Sequence, residues 1–225
     1  MNEEMKYSVE EHILVVLPHP DDEAFGVAGT LAKYIQNGTK VTYACLTLGE
    51  MGRNMGIPPF ANRVTLPTIR KQELEASCKA IGIQDLRMLG FHDKTIEFED
   101  QALLDGQIDA LLKEIHPTLI ITFYPGYSVH PDHDATGAAV IRAVTKLPKE
   151  ERPPVHCVAF ANNLEEIGEP DVINDVRGFL KQKMASIEAH RSQFQAAELV
   201  GSKKLTDKEM EKRYGTEVFW TYPFE

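Results

Sequence analysis

Cysteine is scarce: Cys45, Cys78 and Cys157 are the only three in 225 residues, an odd number at wide spacing with no C-x-x-C pair. That excludes a disulfide framework, a zinc ribbon and a dithiol redox site, and the three thiols are expected to be buried. No apolar run approaches the roughly 18 residues that span a bilayer. The opening MNEEMKYSVEEH is acidic and polar, where a secretory leader is basic and then apolar. The expectation is a cytoplasmic protein with no membrane partner. Basic residues are in deficit, 24 Lys and Arg against 34 Asp and Glu, for a net charge of −10. Nucleic-acid phosphates require clustered cations, so nucleic acid is not an expected partner. Internal repeats, low-complexity tracts and a convincing domain boundary are also missing. With 43% hydrophobic and 26% charged residues the chain is an ordinary globular protein, and residues 1–225 are expected to form one domain around a sizeable core.

What is present is alternation. Aliphatic and β-branched runs at residues 13–17, 40–48, 86–91, 119–124 and 155–161 predict strands, the first and fourth continuous enough to be covered on both faces. Helical patterns fall between them at 24–36, 68–81, 102–115 and 134–146, followed by 177–194 and a charged helix at 206–213. Residues 217–222 predict a closing edge strand, and 51–67, rich in Gly, Pro, Met and Asn, a long irregular loop in which Met51 and Met55 suit a mobile apolar lid better than a metal site, with simple loop packing the default. This order predicts an α/β sandwich with a mostly parallel sheet, whose ligands sit beyond the carboxyl ends of the strands.

The unusual residues fall at those ends. His19-Pro20-Asp21-Asp22-Glu23 follows the first strand and His130-Pro131-Asp132-His133 follows the fourth, each on a predicted loop. A phosphate cradle at the first turn would need a glycine-rich loop, and here three carboxylates would repel the anion. Carboxylates and imidazoles together suit a divalent metal instead. His19 and Asp22 are three apart, so if Asp22 opens a helical turn both point to one side while Asp21 points elsewhere. His133 is the best third ligand, with Asp132 placed to orient or polarise it. The mixed nitrogen and oxygen set fits Zn²⁺ best, with Fe²⁺, Mn²⁺ or Co²⁺ able to use the same ligands. A lone His-x-x-Asp more often caps a helix; two such clusters favour the metal. Glu23 is not assigned as a ligand.

The two motifs in full, with Gly49-Glu50, Arg70-x-x-Glu73 and a late His190-x-x-Gln193, resemble the LmbE-like, or GlcNAc-PI de-N-acetylase-like, zinc deacetylases over most of the chain. Size and detail are most similar to the bacterial members that act on N-acetylglucosaminyl-malate in bacillithiol synthesis. The resemblance implies a single-domain, Rossmann-like three-layer sandwich, one zinc per chain, and hydrolysis of the N-acetyl group of a small-molecule GlcNAc conjugate, with homo-oligomerisation plausible. It implies His19, Asp22 and His133 as ligands, Asp21 as general base and His130 as the residue assisting the transition state, with either of the last two returning a proton to the amine. Arg53, Glu50, Tyr127 and His190 are the candidates for substrate contact, Arg53 being equally readable as a solvated loop residue and His190 as a helix-packing one. Arg70 and Glu73, three apart, are expected to pair with each other, and His92-Asp93 to line the pocket or form an ordinary turn. The competing readings are a metal-stabilised sugar-binding or regulatory protein without turnover, and a metal hydrolase of an ester or phosphoester.

Overall fold

Residues 13 to 17 are each fully buried because β1 (His12–Leu17) lies inside the sheet with a strand on either side and helices over both faces. The computed structural model describes residues 11–194 and 206–225. Its sheet runs β3 (Asp85–Met88), β2 (Lys40–Cys45), β1, β4 (Leu119–Phe123), β5 (Val155–Val158), β7 (Thr216–Thr221), β6 (Val172–Asp175). The first five are parallel, with Ile13 level with Val41 and with Leu119, and β7 runs antiparallel to both its neighbours, β5 and β6.

Strand alternation divides the core in two. Ile13, Val15 and Leu17 pack with Leu31, Leu74 and Cys78 under α2 (Ala28–Gln36) and α3 (Leu66–Ile81). Leu14 and Val16 pack with Ile108, Leu112, Val140 and Val144 under α4 (Gln101–Ile115) and α5 (Pro131–Thr145). The result is the three-layer α/β architecture expected of the alternating pattern. All three cysteines are buried and unpaired. No helix among the described residues is long and apolar enough to cross a membrane.

Several boundaries differ from the sequence expectation. The first helix is split into a single turn, α1 (Asp22–Gly26), and α2, because Val27 takes φ −138 and contributes its side chain to the core. Strands β2, β3 and β5 are shorter than their apolar runs. α5 begins at Pro131, not 134: proline is preorganised for the first helical position, and the His130 side chain caps the turn by accepting from Asp132 N–H at 3.1 Å. Asp132 and His133 therefore stand on a helix, not in a loop. The late helix α6 (Leu180–Ala189) is shorter than 177–194, and α7 (Asp207–Tyr214) is the charged helix. β7 is not an edge: β6, four residues long with polar Asn174 and Asp175, takes that place and has no apolar run to announce it. Of the acidic opening segment, residues 1–10 lie outside the described residues.

Two charged clasps hold neighbouring elements, one between a helix and the sheet and the other between two helices of one layer. Lys183 of α6 donates to Glu217 of β7 at 2.7 Å, both buried, while Glu217 also accepts from Gly29 and Thr30 N–H at the start of α2. Across the sheet, Arg142 of α5 grips Asp105 of α4 at 2.6–3.1 Å. Burial opposes the Asp105 charge, but the guanidinium outweighs it and holds the carboxyl below its usual 3.8. Asp105→Asn is expected to cost about 1 kcal/mol at pH 7, discounted for the exposed part of Arg142, or about 2–4 °C in Tm. For an acid with a depressed folded pKa the contribution is present above the ordinary value and lost as pH falls through the folded one. The gap between wild-type and variant melting temperatures should therefore close only at acid pH, and a gap unchanged there would refute the assignment.

Candidate metal centre

The chain leaves β1 toward the α2 face and leaves β4 toward the α5 face, so a crevice opens between their carboxyl ends, the usual ligand position in open α/β sheets. Pro18 and Pro20 bracket His19, and Asp22 opens α1 while its Oδ2 accepts His19 N–H at 2.8 Å. From the β4 side, the first turn of α5 delivers His133, whose ring stacks on Phe123 at 3.9 Å.

Four donor atoms from three residues converge here, Asp22 offering a different carboxylate oxygen to each imidazole. His19 Nδ1 lies 3.2 Å from His133 Nε2; Asp22 Oδ1 lies 3.2 Å from His133 Nε2, and Asp22 Oδ2 lies 3.5 Å from His19 Nδ1. Ligands about 2.0–2.1 Å from a tetrahedral ion sit about 3.3–3.4 Å apart, so the triangle fits a common small divalent cation. The far ring nitrogens are already engaged. His133 Nδ1 lies 3.1 Å from the Ser128 carbonyl, which can only accept, so the proton is on Nδ1 and the Nε2 lone pair faces the triangle. His19 Nε2 meets Asp132 Oδ2 at 3.0 Å and Asp93 Oδ1 at 3.2 Å, which leaves Nδ1 for the ion.

The electrostatics match. Burial opposes charge on Asp22, yet the two imidazoles hold its carboxyl well below the usual range. Burial likewise opposes charge on His19, but Asp132, Asp22 and Asp93 raise its pKa well above the ordinary 6.5, so a cation entering this site displaces a proton.

Asp21 stays out of the triangle. It caps α1 at φ 111, donates its N–H to Glu23 Oε2 at 3.1 Å and accepts from Arg70 Nη2 at 2.9 Å. Burial pushes its carboxyl up to about 6 against the pull of Arg70. Arg70 reaches it by crossing Gly49, whose carbonyl accepts Nη1 at 2.9 Å; a Cβ at Gly49 would sit 1.7 Å from the guanidinium. His130 lies on the other flank, its ring 4.9 Å from that of His19 and 5.1 Å from that of His133. Burial and the two neighbouring imidazoles lower its pKa. Because Nδ1 accepts the Asp132 N–H, the neutral ring carries its proton on Nε2 and donates there, without becoming an imidazolium. An apolar-walled cavity of about 490 Å³, with Phe25, Phe123, Val158 and Phe160 in its lining, opens beside Asp21 and Asp22. A larger hollow of about 620 Å³ at the opposite ends of β4 and β5 has no comparable donor set.

Other expectations need correction. Asp132 orients His19, not His133, and its carboxylate is itself fixed by Lys94 and Ile96 N–H at 2.6 and 3.2 Å. His190 does not face the cavity: it is fully buried and donates Nε2 to Glu23 at 2.7 Å. Tyr127 gives its hydroxyl to Glu166 at 2.9 Å on the surface. Glu50 is half-buried and accepts Asp93 N–H at 3.1 Å, while Arg53 is exposed and makes no hydrogen bond with another described residue. Arg70 and Glu73 do not pair; Glu73 accepts from Ser192 N–H and Oγ at 2.7 and 2.6 Å. The loop before α3 is pinned to the segment beyond α6 through Asn54 and Gln193, which exchange bonds of 2.8 and 3.1 Å. Sequence reasoning missed Asp93 as a His19 partner and Arg70 as an Asp21 partner; the position of His92-Asp93 just after β3 was the available signal.

Fold and donor cluster together define an α/β protein with a candidate mononuclear metal centre at its strand ends. The chain belongs to the GlcNAc-PI de-N-acetylase (PIG-L) family, whose model matches residues 14–144. A Bacillus cereus protein named probable N-acetyl-alpha-D-glucosaminyl L-malate deacetylase 2 is 52% identical over 220 residues, covering 96% of this chain and 100% of that one. The N,N'-diacetylchitobiose deacetylase of Pyrococcus horikoshii superposes with a TM-score of 0.73 at 24% identity, over 95% of this chain and 84% of that one. The 4-carboxy-2-hydroxymuconate hydratase of Pseudomonas putida superposes almost as well, TM-score 0.72 at 16% identity over 96% and 98%. The fold therefore does not decide the reaction, which has to be argued from the site.

Proposed function

We propose that this protein is a zinc-dependent N-deacetylase that hydrolyses the acetamide of a GlcNAc conjugate, N-acetylglucosaminyl-malate, in bacillithiol synthesis in the cytoplasm. The observation that carries this reading is the 3.2–3.5 Å triangle of His19 Nδ1, Asp22 and His133 Nε2 with the Asp21 carboxylate held outside it by Arg70. The name of the Bacillus cereus relative supports the substrate.

An acetamide is a weak electrophile with a poor leaving group, so its hydrolysis needs an activated water, a stabilised oxyanion and a proton for nitrogen. His19, Asp22 and His133 would hold the ion, and Zn²⁺, or Fe²⁺, Mn²⁺ or Co²⁺ in its place, would supply Lewis acidity toward water and the acetamide carbonyl. Asp21 accepts the proton of the attacking water and returns it to the departing nitrogen; a carboxyl held near 6 is matched to both tasks. His130 donates from Nε2 to the developing oxyanion, a contribution of about 3 kcal/mol for one such donor. Glu50 and Arg53 remain the candidates for sugar or malate contact. A sugar-binding protein without turnover has no need of a strained, uncoordinated Asp21 or of a donor at His130.

The test is release of acetate and free amine from N-acetylglucosaminyl-malate by the zinc-loaded chain, its loss on chelation and its return with zinc. Zinc at 100 times its Kd is also expected to raise stability by about 2.7 kcal/mol, or about 5–10 °C in Tm. Stoichiometric zinc with no acetate released from any GlcNAc conjugate would overturn the proposal.

A further inference from the structure

Glu23 is a carboxylate with no solvent exposure, next to the site yet outside it. Its oxygens are held from four directions. Ser77 of α3 donates to Oε1 at 2.5 Å and His190, just past α6, donates to the same oxygen at 2.7 Å. Tyr43 of β2 donates to Oε2 at 3.3 Å, and Ser186 of α6 braces Ser77 at 2.7 Å. A buried ion pair of this kind is no better for stability than an apolar pair of the same volume. What it provides is a fixed acceptor, and the remaining bond it makes is to the backbone N–H of Asp21 at 3.1 Å.

Asp21 needs such an acceptor. At φ 111 it holds a backbone conformation that L side chains rarely adopt and that persists only where the surroundings impose it. Arg70 restrains the side chain and the Pro20 carbonyl; Glu23 restrains the peptide nitrogen. The combination keeps the Asp21 carboxylate at the cavity wall while its neighbour Asp22 faces the imidazoles.

We propose that Glu23 and His190 are a positioning pair for Asp21, through which the far end of α6 sets the aim of the base without touching substrate or metal. The inference rests on the reading of Asp21 as the base. Glu23→Gln and His190→Asn are expected to lower kcat about 10–100-fold, with KM within about twofold and one zinc still bound per chain.

The decisive measurement is a double-mutant cycle in kcat. On an Asp21→Asn background, Glu23→Gln should cost less than about twofold further, because the residue it aims is already disabled. Fully additive losses would overturn the positioning role, as would a Glu23→Gln enzyme with unchanged kcat. Asp21→Asn retaining full turnover would instead refute the reading of the base, so the two failures are distinguishable. Should Glu23→Gln not fold, Ser77→Ala removes a single bond to Glu23; the same cycle with a loss of about threefold is then expected, and an additive result there overturns the proposal equally.

Discussion

Asp21→Asn is expected to lower kcat for N-acetyl hydrolysis by about 10²–10⁴ while leaving the chain folded and one metal per protein in place, the range lost when a positioned proton acceptor is removed. Asparagine suits the test because it tolerates positive φ better than most residues and keeps an oxygen for Arg70. Only basicity is removed. The donor triangle does not include Asp21, so metal content measured by atomic absorption should match the parent, whereas His133→Ala should lose metal and turnover together. Turnover within about threefold of the parent with Asn at 21 would exclude this carboxylate as the base.

Lys183→Met is expected to destabilise the protein by about 3–5 kcal/mol, because it leaves the Glu217 carboxylate buried without its countercharge. Two backbone N–H donors from α2 remain and do not neutralise it. For a chain of this length that is a Tm lower by about 6–20 °C. The companion variant Lys183→Met/Glu217→Gln should melt higher than the single one, since a neutral amide can still accept from α2 without a charge to strand. Thermal unfolding of both variants checks it. A double variant less stable than Lys183→Met would show that the pair itself, not the unpaired charge, is what the fold requires.

The frame and the donor triangle are legible in the sequence for the same physical reason. A strand buried on both faces must be nearly continuously apolar, as residues 13–17 are and as 119–123 are but for Thr122, whose hydroxyl donates to the Val16 carbonyl, and the polar residues that end such a run stand at its carboxyl end. His19, Asp22 and His133 are therefore visible as a group before any coordinates. The residues that support them are not. Asp93 reaches His19 and Arg70 reaches Asp21 across 74 and 49 positions, and His190 reaches Glu23 across 167, contacts that no local periodicity encodes. Asp132 illustrates the limit. Proximity in the chain suggests His133 as its partner, but both now stand on the first turn of α5, and the carboxylate is turned toward His19 from the other strand. The same blindness puts β7 at an edge: a strand's neighbours depend on where a distant and weakly patterned segment such as β6 lies down.

Glu217 ties the beginning of α2 to β7 across 188 positions. A ribosome emits residues in order, so the nascent chain can have all five parallel strands in hand while Gly29 and Thr30 N–H still await their acceptor. The start of α2 therefore gains this anchor only after the 217th residue has emerged, later than every strand in the parallel part of the sheet.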